Sequence, residues 1–173
     1  MKQRWDEIED YFKEENRAVL GTFNPPATEK ELKELEDLIG VTLPKDLKEF
    51  YTIHNGQDTG KVFNSAIIEY GSEGLNPISK IIKEWTLFSS IEKEYPSVVA
   101  SEDCEKGIKP LGWNLLWIPL IADGFGNAYC LDLDPAEGGK KGQIIYRDLH
   151  GPKYSLVADS FKHWIDNFID MLE

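Results

Sequence analysis

Apolar positions along the chain recur first at helical spacing and later at strand spacing. Trp5, Ile8 and Phe12 are separated by Asp6, Glu7, Glu9 and Asp10, which predicts an amphipathic first helix with its aromatics toward a core. Its early acids suit the positive end of the helix dipole. Asn24-Pro25-Pro26 interrupts regular structure. Thr28-Glu29-Lys30-Glu31 has the form of a capping box ahead of a second helix, whose stripe is Leu32, Leu35, Ile39 and neighbouring Leu38. Gly40 is placed to end it in the left-handed conformation. Pro44 suits the first turn of a third helix with Leu47, Phe50 and Tyr51 buried, and Asn55-Gly56 stops it. Leu35, Ile39, Leu47 and Phe50 are expected to pack the pair together.

Short strands are expected at Lys61 to Phe63 and Ala66 to Tyr70. Pro77 opens a helical segment with Ile78, Ile81, Ile82 and Trp85 in phase, and Ile91 to Tyr95 continues it after a break. Ser101 to Pro110 reads as a polar surface loop. Leu115 to Ile121 is then a dense apolar run with strand content. Asp123-Gly124-Phe125-Gly126-Asn127 supplies the glycines and side-chain acceptors of a tight reversal. Ala128 to Leu133 follows as a strand, with Tyr129, Leu131 and Leu133 on one face and Ala128, Cys130 and Asp132 on the other. The segment from Asp134 to Gly142 is a loop, and Gln143 to Arg147 returns. Connections this short require an antiparallel meander, since parallel pairing needs a long crossover. Asp148 to Tyr154 reads as a polar turn, and Ser155 as the cap of a last helix. That helix presents Phe161, Trp164, Ile165, Phe168 and Leu172 on one face, expected to lie across the sheet. The predicted class is α+β: N-terminal helices, a mostly antiparallel sheet with a three-strand meander, and a C-terminal helix packed on the sheet.

The length of 173 residues fits a single domain, 1–173, able to bury a core without disulfides or a structural metal. Cys104 and Cys130 match no metal spacing; free thiols in a reducing compartment are the first reading, a bridge the alternative. The charged N-terminus does not resemble a signal peptide, and no window reaches the apolar length of a membrane span. The expected location is the cytoplasm. The net charge of −12 lacks the basic footprint of nucleic-acid binding. By itself that charge implies solubility; a basic partner is the sharper reading.

Candidate chemistry is sparse. Asp123, Asp132 and Asp134 bracket the Gly-rich turn, but the twelve-residue calcium-loop pattern is absent and these are positions where Asp serves the backbone. Gly124-Phe125-Gly126 lacks the third glycine and the strand-to-helix context of a nucleotide loop. Other kinase signatures are missing around Asp123-Gly124-Phe125-Gly126, and no Gly-x-Ser-x-Gly elbow occurs. His54, His150 and His163 are dispersed without zinc spacing. No catalytic residue, metal or cofactor is expected. Trp113 and Phe125, beside glycines and turns, read equally as interface anchors or as core; Trp117 reads as core.

Taken in order, several segments resemble the SUKH superfamily, which includes fungal Smi/Knr-type cell-wall regulators and bacterial immunity proteins. They are Glu31, Leu35 and Glu36 ahead of Leu43-Pro44; Leu47, Phe50, Tyr51 and Asn55-Gly56; Trp117-Ile118-Pro119-Leu120; Asp123 to Asn127; Tyr129 to Pro135; Gly142 to Ile145; and Ala158 to Phe161. The order and spacing carry the likeness, not any one piece. It implies a non-enzymatic binding protein. The first reading is a bacterial immunity protein that blocks a cognate toxin, such as a basic nuclease encoded nearby; the alternative is a regulatory scaffold binding cellular enzymes. A small-molecule enzyme using the Asp123–Asp134 region is a third hypothesis. The expected partner is a protein, with no direct nucleic acid and no membrane. The expected partner-binding residues are Asn55, Asp58, Trp113, Asp123, Phe125, Asn127 and Asp134.

Overall fold

The computed structural model describes residues 1–57, 74–151 and 153–172. Helices α1 (Lys2–Glu15), α2 (Glu29–Ile39) and α3 (Lys45–Tyr51) form where the periodicity places them. In α1, Trp5 and Ile8 are buried, and Trp5 stacks on Phe50 with ring centroids 4.4 Å apart. Because α1 starts at Lys2, no acid stands in its first turn, so the expected dipole pairing of its acids is not made there. The capping box of α2 is complete: Thr28 Oγ1 accepts from Glu31 N–H at 3.2 Å, and Glu31 Oε2 accepts from Thr28 N–H at 2.8 Å. Gly40 ends the helix at φ 78°. Leu35, Ile39, Leu47 and Phe50 are all buried. Glu36 ties α2 to α3 by accepting from Leu43 N–H at 2.9 Å and pairing with Lys48 at 3.1 Å. Helix α4 (Ile78–Glu94) is continuous, so the expected break before Ile91 is not there. The intervening Thr86 to Ser90 holds no glycine or proline, and Thr86 bonds back to the Ile82 carbonyl at 2.7 Å. The strands expected at Lys61 to Phe63 and Ala66 to Tyr70 lie outside the described residues.

The meander is present as β1 (Trp117–Ala122), β2 (Ala128–Asp132) and β3 (Gln143–Asp148), antiparallel throughout. A fourth strand, β4 (Lys153–Ala158), pairs with β3 and completes the order β1-β2-β3-β4. This corrects two expectations. The polar turn is confined to the residues between β3 and β4, and Ser155 lies within β4 rather than capping a helix. The last helix, α5, spans Phe161–Asp170, and its face of Phe161, Trp164, Ile165 and Phe168 is buried. Ser101 to Pro110 is also more than a surface loop. It lies along β4 through Glu105 N–H to the Tyr154 carbonyl and Leu156 N–H to Glu105 Oε2, with Ile108 buried.

Contacts divide the chain into two compact units, Met1–Ser79 with Lys162–Glu173, and Lys80–Phe161. In the first, Trp5 and Phe50 anchor the helices, and Arg4 pairs with Asp166 of α5. In the second, one face of the sheet packs Trp117, Cys130, Ile145 and Tyr154 with Phe88, Ile108 and Trp113. Ala128 and Cys130 share this face, as their alternation predicts. Cys104 and Cys130 are free, and burial pushes the Cys130 thiol far up, which leaves it unreactive. Among the described residues, no helix is long and apolar enough to cross a membrane.

Two carboxyls in the first unit make stability depend on acid. Hydrogen bonds from Thr28 hold Glu31 below its usual range, and the bond from Leu43 N–H does the same for Glu36. A depressed folded pKa gives stabilisation that is complete above the unfolded value and lost as pH falls through the folded one. The loss therefore falls below about pH 4.3, the ordinary glutamate value. Urea melts of a Glu31→Gln, Glu36→Gln double variant are expected to show a shallower acid decline than the parent. An unchanged acid limb would remove these bonds as its source.

Candidate functional site

The turn between β1 and β2 is built by one carboxylate. Asp123 Oδ1 accepts from the Phe125 and Asn127 N–H groups at 2.8 and 3.1 Å, and Oδ2 accepts from Asn127 Nδ2 at 2.7 Å. Gly124 and Gly126 take φ 77° and 103°, which any side chain would resist. Asn127 Oδ1 accepts from Leu149 N–H at 2.9 Å, joining this turn to the one between β3 and β4. Arg147 on β3 closes the turn from behind. Its Nη1 donates to the Gly126 carbonyl and its Nε to the Gly112 carbonyl at 2.7 Å. Its guanidinium lies over Phe88 and Trp113, 5.1 and 5.5 Å from the ring centroids. These contacts hold Phe125 out in water, 78 % exposed.

Beside the turn opens a groove of about 360 Å³. One wall is α4, where Glu84, Leu87 and Ile91 follow one another at helical spacing. Trp113 and Arg147 form its floor side, and Phe125 and Leu149 its far rim. Leu87, Ile91, Phe125 and Leu149 are all exposed, an apolar patch around a concave surface. Glu84 is only 9 % exposed. Glu92 is occupied by Ser97, accepting from its N–H at 3.0 Å.

The residues expected from sequence are not gathered in one place. Trp113 and Phe125 line the groove, with Asp123 and Asn127 forming the turn that carries Phe125. Trp113 is buried, donates to Ser89 Oγ at 3.1 Å and packs on Phe88 and Trp117. Asp134 stands apart, paired with Lys109 at 2.7 Å and bonded by Asn114 Nδ2, which hold its carboxyl below the usual range. Asn55 belongs to the other unit and is buried, its Oδ1 accepting from Ile78 N–H at 2.8 Å and its Nδ2 donating to Glu31. Asp58 lies outside the described residues. Asp132 is buried at the end of β2, where burial pushes its carboxyl up against the bonds from Asp134 N–H and Gln143 Nε2. Sequence reasoning did not find Glu84, Leu87, Ile91, Arg147 or Leu149. One signal was available: Leu87 and Ile91 lie off the Ile78, Ile81, Trp85 stripe, so α4 carries more apolar surface than one buried face needs.

The family model of the SMI1 / KNR4 family (SUKH-1) matches residues 26–167, a range that runs through both units. Among similar proteins, the "Cell wall biosynthesis/cell cycle regulator smi1" of Schizosaccharomyces pombe is 32 % identical, covering 84 % of this chain and 31 % of its own. The "Glucan synthesis regulatory protein" of Neurospora crassa is 27 % identical over 93 % of this chain and 36 % of its own. The "Cell wall assembly regulator SMI1" of Saccharomyces cerevisiae is 22 % identical over 98 % of this chain and 40 % of its own. The chain thus spans 31 to 40 % of the length of these curated relatives. Their names describe regulators. With its helices, four-stranded antiparallel sheet and a match across residues 26–167, the chain belongs to the SMI1 / KNR4 family (SUKH-1).

Proposed function

We propose that this chain is a non-enzymatic regulatory domain that acts by binding a protein partner, in the manner of a cell-wall regulator. The observation that supports this is the family match over residues 26–167 together with regulatory relatives of glucan synthesis and wall assembly. The carboxylates that invited an acid-base reading have internal work. Asp123 shapes a turn, Asp132 closes a strand end, and Asp134 pairs with Lys109. Phe125 and the groove beside it offer an anchor and a pocket, the usual parts of an interface. In this reading the partner-binding surface centres on Phe125, with Asp123 and Asn127 as its supports.

The test is a domain exchange. The matching segment of the fission-yeast regulator is replaced by this chain in a strain lacking the native protein. Restored wall glucan and restored growth on a wall-binding dye are expected. A chimera that accumulates in folded form without restoring either would overturn the regulatory reading. The immunity reading would take its place if the chain instead protected cells co-expressing the toxic product of a neighbouring gene.

A further inference from the structure

We propose that the groove between α4 and the 123–127 turn docks a protein segment presenting a lysine or arginine among apolar side chains. The proposal rests on the regulatory reading above and names the class of partner. Glu84 is the observation that carries it. The residue is 9 % exposed, lines the groove, and makes no hydrogen bond or ion pair among the described residues. Most of the side chain is covered, while its carboxylate oxygens stay open on the groove side with no protein donor among the described residues, so a cation placed there would gain a charge-assisted hydrogen bond. The cation already present in the groove is Arg147, and its Nε and Nη1 are committed to the Gly112 and Gly126 carbonyls. Glu84 is therefore an acceptor left open toward the groove, matched in sign to a basic side chain.

The apolar half of the site sets what surrounds that basic residue. Leu87 and Ile91 continue along the same face of α4 as Glu84, and Phe125 faces them from the turn. Seven residues of helix separate Glu84 from Ile91, roughly 10 Å. A partner spans that distance with two turns of helix or about three residues of extended chain. The net charge of −12 adds long-range attraction for a cationic segment and speeds its encounter. Phe125 supplies an exposed aromatic side chain of the kind that anchors interfaces.

A random peptide library displayed on phage and selected on the purified, immobilised chain tests this. Enriched peptides are expected to carry Lys or Arg near Leu, Ile, Phe or Trp. An enriched peptide, synthesised with a fluorescent label, is then titrated by anisotropy against the parent, Glu84→Gln and Phe125→Ala. Each variant is expected to bind at least about tenfold more weakly, and the parent's affinity to fall with added salt. Phe125 is on an exposed turn, so its variant keeps the test sound should Glu84→Gln lose its fold by circular dichroism. Enriched peptides without basic residues, or equal binding by both folded variants, would overturn the proposal. So would sedimentation with anionic phospholipid vesicles, or self-association of the chain, that Phe125→Ala abolishes. Both substitutions are also placed in the fission-yeast exchange. If the parent chimera works and both substituted chimeras work equally well, the groove proposal fails while the regulatory reading stands.

Discussion

Trp5→Ala is expected to lower the free energy of unfolding by about 3–5 kcal/mol, the range of large aromatic truncations in cores. Trp5 is 1 % exposed. Its ring stacks on Phe50 at 4.4 Å and meets Phe23 and His54 edge-on at 5.1 and 4.7 Å. Its Nε1 donates to the Phe50 carbonyl at 3.0 Å, at the end of α3. Truncation therefore removes apolar burial, opens a cavity among three rings and leaves that carbonyl without this donor. Trp5→Phe keeps part of the packing and loses the hydrogen bond, so it is expected to fall between parent and alanine variant. Urea melts followed by far-ultraviolet circular dichroism measure both. A loss under about 1 kcal/mol for the alanine variant would show that α1 is not part of the cooperative core.

Arg147→Met is expected to cost about 2–3 kcal/mol, because charge-assisted hydrogen bonds and cation–π stacking are lost together. The side chain is nearly buried and joins points distant in sequence: the Gly112 carbonyl, the Gly126 carbonyl, and the rings of Phe88 and Trp113. Methionine fills part of the volume and replaces none of the donors. Arg147→Lys keeps the charge without the planar fork and is expected to recover little of the loss. Amide exchange should quicken across residues 123–127 in both variants, since the Gly126 carbonyl is freed. Unchanged exchange there, with unchanged melts, would show that the Asp123 network holds the turn unaided.

The predicted meander was legible because its connections are short and their chemistry is local. Asp123 reaches only to residues 125 and 127, and Gly124 and Gly126 mark the reversal within the same five residues. The capping box of α2 and Gly40 were legible for the same reason. Strand β4 was not. It alternates poorly, with Leu156 exposed and a register shift opposite Ile144 and Ile145, so the pairing with β3 is what makes it a strand. The groove was half legible. Phe125 stood out beside its glycines, but Glu84 reads in sequence as one more polar residue on an amphipathic helix. Asn55 shows the reverse error. A polar residue before glycine suggests a loop contact, yet its side chain staples α2 to the start of α4 from within the first unit.

By itself the amino-acid sequence determined the helices of the N-terminal half, the three-strand core of the sheet and the family, because those depend on residues a few positions apart or on their order. Only the tertiary structure decided which charged side chains are consumed internally and which face a groove. Asp134 meets Lys109, Arg147 meets Gly112 and Gly126, and Glu84 meets no described partner. Such pairings turn on distances of a few ångströms between residues some 20 to 35 positions apart. Solvent exclusion acts on folded neighbours, not on neighbours in the chain, so no local pattern announces them.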